Sequence, residues 1–424
     1  MTAARSSGAG LPPEPRRQFQ VVATVWLILA AAYGVAFAFP IFFVALLDEF
    51  RWSRALTAGA MSMSTLLQGL LAPVTGIVVD RIGPRRVILA GVGLLGASSI
   101  LAATIRTPWE LYLYTGLVGA MGIVALGWVP MGVLLSHWVT ERRGRMVGLA
   151  FSGMGAGIFV LGPLSQWLID RLGWRAASLA LGVAVLIVLL PSAWWGCRVP
   201  ERRRGGPGGF RRDERDGGQG GGAGPPRRDG EATLADALRT RAFWALFAAY
   251  LLTPLAVFPV FTHQVAFAVD VGFPRLLVAS IFGLMGLMSS LGRPLFGVVA
   301  DRFGGAVSAT ISFGCTAGGA VALVAAEVWP HTVWLGIYAV LFGLGFGARG
   351  PIITAIATEL FAGRRFGVIY GVLNMGNGVG AAIGPWFGGA VHDALGSYRM
   401  VFLSSIVFSA LASACFWLAR RRTP

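Results

Sequence analysis

The sequence predicts an all-α membrane protein with twelve transmembrane helices in two pseudo-symmetric six-helix bundles. Three observations predict it: apolar runs of bilayer length, basic residues confined to alternate loops, and motifs that recur at one offset. Of the 424 residues, 55% are hydrophobic and 13% charged, whereas a soluble domain carries about a quarter charged residues. A hydrocarbon core of roughly 30 Å needs about 20 apolar residues per helix. Twelve runs meet this, at 20–46, 55–78, 86–105, 110–135, 146–169, 175–196, 242–268, 275–299, 306–326, 331–357, 366–390 and 399–419. Helices are implied because lipid satisfies no open backbone edge.

The net charge of +16 does not indicate nucleic acid, because the arginines form no single patch. They stand between apolar runs on alternate sides: Arg16 and Arg17, then Arg81, Arg85 and Arg86, then Arg142, Arg143 and Arg145. Arg202 to Arg204, Arg302, Arg364 and Arg365, and Arg420 to Arg422 continue the series. The opposite loops are sparse, with Asp48, Glu49, Arg51, Arg106, Asp170, Arg171, Asp270, Arg275, Glu327 and Asp393. The positive-inside rule places both termini in the cytoplasm of a multi-pass inner-membrane protein. Cys197, Cys315 and Cys415 have neither metal nor redox spacing, so neither metal nor cofactor is expected.

The division that follows is a tail (1–18), an N-terminal bundle (19–197), a linker (198–240), a C-terminal bundle (241–419) and a tail (420–424). Residues 198–232 are rich in Gly, Pro and mixed charge, a composition that cannot bury enough surface to fold. The segment 233–244 reads as a short amphipathic helix lying on the membrane, with Leu234, Ala237 and Leu238 on one face.

The halves repeat. GIVVDRIGPRR (76–86) and GVVADRFGG (297–305) stand 221 residues apart, and the segments ending Gly162-Pro163 and Gly384-Pro385 stand 222 apart. Doubling of this kind is what transporters display when one half rocks against the other. Within the first pair, Gly76 and Gly297 allow close helix contact, and Gly83 and Gly304 permit a tight turn. Asp80, Arg81, Asp301 and Arg302 supply a polar latch that breaks when the protein changes state. The Gly-rich runs at 153–157 and 376–380 lack a preceding strand, so they are packing elements and not phosphate loops. The two Gly-Pro pairs supply kinks.

Charge inside the membrane is costly unless it faces a partner or water. Two arginines lie well inside predicted helices, Arg293 and Arg349. Arg293 is eight residues before Asp301, about 12 Å above the latch, which suits a central cavity and bidentate capture of a carboxylate. Arg349 reads as a structural charge paired with Glu359 or a carbonyl. No acidic residue lies in the middle of a predicted helix, which points to an anionic substrate. His263 is the proton-coupling candidate. Tyr33, Gln68, Ser289, Tyr338, Asn374 and Asn377 are further candidates for substrate contact.

Over its whole length the chain resembles the major facilitator superfamily, on the paired GIVVDRIGPRR and GVVADRFGG motifs. Within it the chain is most similar to the monocarboxylate transporter family and its bacterial relatives, including the oxalate–formate antiporter group. VPMGVLLSHWVTERRGRMVGLAFSGMGAG (129–157) and GRP (292–294) carry that resemblance. It implies that Arg293 holds the substrate carboxylate. Animal members of the family carry a lysine after Phe-Pro, where this chain has Ile41 after Phe39-Pro40, and an aspartate where it has Ser289. The oxalate exchanger's second cation corresponds to Asn377. One cavity arginine favours a single carboxylate over two.

The resulting expectation is a secondary active transporter, not an enzyme. It moves a small organic anion, a monocarboxylate ahead of others, by proton symport, working as a monomer in lipid without nucleic acid or cofactor. The alternatives are an exporter of drugs or metabolites with the same fold and a non-transporting membrane sensor.

Overall fold

A computed structural model describes residues 15–139, 143–198, 234–361 and 366–420. The elements are α1 (Pro15–Ala36), α2 (Phe39–Phe50), α3 (Arg54–Ile82), α4 (Pro84–Ala102), α5 (Pro108–Leu111), a π segment (Tyr112–Val118), α6 (Gly119–Ala125) and α7 (Trp128–Trp138). They continue as α8 (Arg143–Gly196), α9 (Leu234–Leu238), α10 (Arg241–Asp270), α11 (Arg275–Phe303), α12 (Gly305–Val328), α13 (Thr332–Phe361), α14 (Phe366–Leu395) and α15 (Arg399–Arg420). Among the described residues there is no strand. Nine helical spans there are long and apolar enough to cross a membrane by length and composition. One of these, Arg145–Gly196, is really two limbs, because Gly173 breaks α8 with φ 78° and ψ 158°.

Several expected single helices are broken, each for a local reason. The run 20–46 divides at Phe37 and Ala38, where Pro40 offers no N–H to the Ala36 carbonyl. The run 110–135 contains the π segment and then breaks at Gly127, four residues after Ile123 and three before Pro130. The segment 233–244 is not one helix: it turns at Arg239, and Thr240 caps α10 by accepting the Phe243 N–H at 3.2 Å. Its presumed shared face is also divided, since Ala237 is buried in the core while Leu238 is exposed. The linker beyond Arg198, as far as Thr233, lies outside the described residues.

Gly83 and Gly304 adopt the same backbone, φ 85° and ψ 154° against φ 87° and ψ 155°. Each ends one helix and starts the next within a single residue, a conformation that side chains with a Cβ rarely adopt. The sequence repeat is thus also a conformational repeat.

The N-terminal and C-terminal helices meet along two seams. The first limb of α8 lies on α11, and α3 lies on α14. Both expected proline kinks fall on these seams. Pro385 has no N–H, so the Ala381 carbonyl loses its helical donor. The Thr65 hydroxyl, across the seam, stands 2.9 Å from that oxygen. Two carbonyls of its own helix, Met61 and Ser62, lie at 3.1 and 3.0 Å. Those two already serve the α3 ladder, so the single hydroxyl proton belongs with Ala381. Trp386 donates its N–H to Ser62 Oγ at 3.0 Å, also across the seam. On the other seam Pro163 frees the Phe159 carbonyl, and Gly283 of α11 comes so close that a Cβ there would stand 2.8 Å from that oxygen.

Interhelical hydrogen bonds in membrane proteins are worth about 0.6 kcal/mol on average and about 1.7 at most. Replacement of Thr65 by Val keeps the shape and removes the donor. The expected outcome is a fall in the melting temperature of the detergent-purified protein of a few degrees. An unchanged melting temperature would show that Ala381 finds another partner.

Candidate functional site

One end of the helix array holds Arg17, Arg198, Arg241 and Arg420; it is called the terminal end here, and the opposite end the far end. At the far end the two seams are closed by polar contacts that sequence reasoning missed. Arg54 Nη1 lies 2.6 Å from Asp270 Oδ2 and donates to Tyr398 Oη at 2.5 Å. The backbone N–H groups of Arg54 and Ala55 donate to Asp393 Oδ1 and Oδ2, at 3.0 and 2.8 Å. A carboxylate from α14 therefore caps α3, where the helix dipole favours negative charge. Arg275 and Asp48 pair at 2.7 Å between α11 and α2. Within the N-terminal half, Glu49 receives Trp174 Nε1 and Arg175 Nη1. The signal available in the sequence was the scarcity of charge in these loops; which charges pair depends on the helix arrangement.

Beneath the closed end lies an aromatic chain across the two halves. Tyr33 meets Phe37 at 5.4 Å between ring centroids, Phe37 meets Phe261 at 5.2 Å, and Phe261 stacks on Phe346 at 5.5 Å. The seams run from the far end down to about Gly69 beside Gly378 and Ser152 beside Ser290. One turn beyond Ser152 and two beyond Ser290, no described atom lies within 4 Å of where side chains at Gly148 and Gly297 would stand.

Arg293 sits where the α8–α11 seam parts. It is partly exposed, and its guanidinium reaches across to α8, donating to the Phe151 carbonyl at 2.8 Å and lying 3.8 Å from Met154 Sδ. Tyr33 is its electrostatic neighbour. Among the described residues no carboxylate is paired with it. A guanidinium has five N–H donors, so donors remain for an anion arriving from the terminal end.

The other candidates are dispersed. Ser289 is buried on α11, and Tyr338 is buried among Phe342 and its neighbours with its hydroxyl 2.5 Å from Gln264 Oε1. Asn374 is exposed and Asn377 half-buried on α14. Gln68 Nε2 donates to Ser64 Oγ at 3.2 Å within α3. His263 is fully buried: Nε2 is 2.9 Å from the Pro385 carbonyl, Nδ1 is 3.1 Å from Tyr398 Oη, and the ring lies 5.2 Å from Phe43. A carbonyl only accepts, so Nε2 carries the proton and Nδ1 accepts from Tyr398. Arg54, Tyr398, His263 and Pro385 thus form one directed chain from the far end to the α14 kink. Asp80, Arg81, Asp301 and Arg302 are exposed at the terminal end, with Gly76 and Gly297 on the helices before them. The Arg349 side chain and its expected partner Glu359 lie outside the described side chains.

Exposed ion pairs are worth about 0–1 kcal/mol each, so the far end is held by several weak contacts. Loss of about 1 kcal/mol changes a two-state ratio roughly five-fold. Spin labels at Trp109→Cys and Leu395→Cys, both exposed on opposite halves at the far end, report the opening. Arg54→Ala is expected to add a longer component to the distance distribution measured by electron double resonance. An unchanged distribution would remove Arg54 from the closure.

A sequence model described as the Major Facilitator Superfamily matches residues 25–349 and 329–424. Monocarboxylate transporter 13 of Rattus norvegicus is 27% identical over 94% of this chain and 87% of its own. Monocarboxylate transporter 3 of the same species is 29% identical over 93% and 78%. Among solved structures, the nucleoside transporter NupG superposes with a TM-score of 0.73 at 13% identity, covering 95% of this chain and 99% of that one. A bacterial homologue of the human lysosomal transporter Spinster, in an inward-facing and unoccupied conformation, gives 0.70 at 16% identity over 96% and 98%. The chain is a membrane transport protein, not an enzyme, and it belongs to the Major Facilitator Superfamily.

Proposed function

We propose that this protein is a secondary active transporter of a small monocarboxylate, moved with a proton, and that Arg293 binds the substrate carboxylate. The observation that carries the reading is Arg293 itself: a cation at the level where the seam parts, held by a neutral carbonyl and a thioether, without an acidic partner among the described residues. A charge in such a place is expensive, and a guanidinium fits a carboxylate in bidentate fashion. Similarity to proteins named monocarboxylate transporters, over 94% of the chain, supports the same substrate class.

In this reading the chain crosses an inner membrane twelve times as two six-helix bundles and works as a monomer. The terminal end is cytoplasmic, following the arginine bias. The structure then represents the state closed toward the outside. When the halves rock, the contacts of Arg54, Asp270 and Asp393 break, and those of Asp80 and Asp301 form at the cytoplasmic turns. Coupling is assigned to His263, whose imidazole is joined through Tyr398 to the far end.

The test is uptake of labelled lactate and acetate into proteoliposomes, with and without a proton gradient. Wild type is expected to accumulate substrate when the gradient is applied. Arg293→Gln is expected to lose uptake at least ten-fold, and His263→Gln to lose the response to the gradient while exchange continues. Wild-type uptake by correctly folded Arg293→Gln would sink the assignment.

A further inference from the structure

Helices α6 and α7 are one apolar run in sequence, yet they part at Leu126 and Gly127. Pro130 has no N–H for the Leu126 carbonyl, and the chain restarts with Gly127 extended, at φ −83° and ψ −159°. Trp128 is therefore the first residue of a new helix. It stands ten residues before Trp138, whose indole donates to the Arg198 carbonyl at the terminal end, and so lies about 15 Å inside that end. Arg293, eight residues before Asp301, lies about 12 Å inside it. The two side chains share one depth.

They also share a neighbour. The Trp128 indole lies flat against Phe151 of α8, with centroids 4.0 Å apart and planes 8° apart. The carbonyl of the same Phe151 accepts from Arg293 Nη1 at 2.8 Å. Gly127 closes the circle of contacts: a Cβ there would stand 3.7 Å from the hydroxyl of Tyr33, the electrostatic neighbour of Arg293.

Trp128 is 54% exposed and Val129 39%, while the rest of α7 is buried or half-buried. Both residues are bracketed by the seams. Trp128 touches α8 at the residue before Ser152, where one seam ends. A Cβ at Gly76 of α3, two turns beyond the end of the other seam at Gly69, would stand 3.9 Å from Val129 Cγ1. The exposed pair thus looks onto the gap where the halves part. Phe151 covers one face of the indole, and no second ring among the described residues covers the other. Apolar area left open toward water is costly, and the fold does not demand it here. The repeat offset of 221 sets Trp128 against Arg349, so an aromatic side chain is particular to this half.

We infer that Trp128 is a specificity-determining residue of the transport site, packing against the flat apolar body of a substrate whose carboxylate lies on Arg293. The inference rests on the reading of Arg293 as the carboxylate site. It names an aryl monocarboxylate ahead of acetate and lactate, because a short acid on Arg293 leaves the indole uncovered. The reach is sufficient. From Arg293 Nη1 to the indole centre the path through Phe151 is at most about 13 Å by covalent dimensions. An arylpropionate with its hydrogen bond and its ring contact spans about 12 Å, and the straight line is shorter than the path.

The experiment measures uptake of acetate, phenylacetate and 3-phenylpropionate by proteoliposomes of wild type, Trp128→Phe and Trp128→Leu. In wild type, 3-phenylpropionate is expected to show at least about ten-fold higher kcat/KM than acetate, from burial of its ring. Trp128→Leu keeps an apolar chain without the ring, and it is expected to lower that ratio about five-fold through KM for the aryl acids, the size of an aromatic pair. Trp128→Phe is expected to retain most of the ratio. If Trp128→Leu does not yield a monodisperse protein, Trp128→Met gives the same readout. An equal loss for acetate and the aryl acids would make Trp128 a packing residue and overturn the inference. An unchanged ratio, or a wild type without preference for aryl acids, would overturn it as well. Uptake of none of the three by folded wild type is a different result: it overturns the carboxylate reading itself.

Discussion

A backbone carbonyl that loses its helical donor inside a membrane must be answered by something other than water, and this single constraint organises the contact between the two halves. Pro385 and Pro163 each remove one donor. Both freed carbonyls are turned toward the partner half rather than toward lipid. Ala381 is answered by a hydroxyl from Thr65. Phe159 is approached by the backbone of Gly283, near enough that no side chain fits between them. The kink at Pro385 therefore bends a helix and also converts internal hydrogen bonding into bonding between halves, while the carbonyl freed by Pro163 is met only by close backbone packing. Small residues and hydroxyls line both seams because only they come close enough. Ser62 and Thr65 serve one seam, and Ser152 with Ser290 the other.

Such seams suit motion. Each hydrogen bond across them contributes on the order of 0.6 kcal/mol, and apolar contact between helices gains little over contact with lipid. The far-end contacts are of similar size individually. No single interaction dominates, so a state change requires many small losses that the other state can offset. The exception is the α14 kink, where one site serves two purposes. Pro385 frees Ala381 for Thr65, while its own carbonyl accepts from His263. Through Tyr398 that imidazole reaches Arg54. Movement of Arg54 at the far end thus disturbs the hydrogen bonding of the kink near the midplane, without any long mechanical path.

The helical membrane class and the repeat were legible because they rest on period and composition. The turns at Gly83 and Gly304 were legible because one sequence pattern recurs where one backbone shape recurs. Breaks within helices were less so: a proline marks a lost donor but does not tell whether the chain kinks, as at Pro385, or restarts, as at Pro40. The π segment left no mark on hydropathy. Arg293 stood out because buried charge is rare. Tyr338 was drawn in by its polarity alone, and its hydroxyl is committed to Gln264. Arg54 escaped notice because an arginine at a helix start has an ordinary solvated meaning in sequence. Its role depends on Asp270, Asp393 and Tyr398, all more than 200 positions away along the chain.

The partners of Arg293 also explain how a cation with no acidic partner among the described residues can be retained where the seam parts. A carboxylate partner within the protein would stabilise the guanidinium but would compete with an anionic substrate at every cycle. A carbonyl and a thioether lower the cost of burial only in part, because neither bears a full charge. Both belong to the first limb of α8, in the opposite half. The guanidinium is therefore a contact between halves, and in the proposed reading it is the binding group as well. An arriving carboxylate that draws it away from Phe151 weakens one seam at its parting point, and the same donors then favour a different packing of α8 on α11. In the proposed reading binding and rearrangement share one set of hydrogen bonds, so substrate would differentiate the two states by the contacts it replaces.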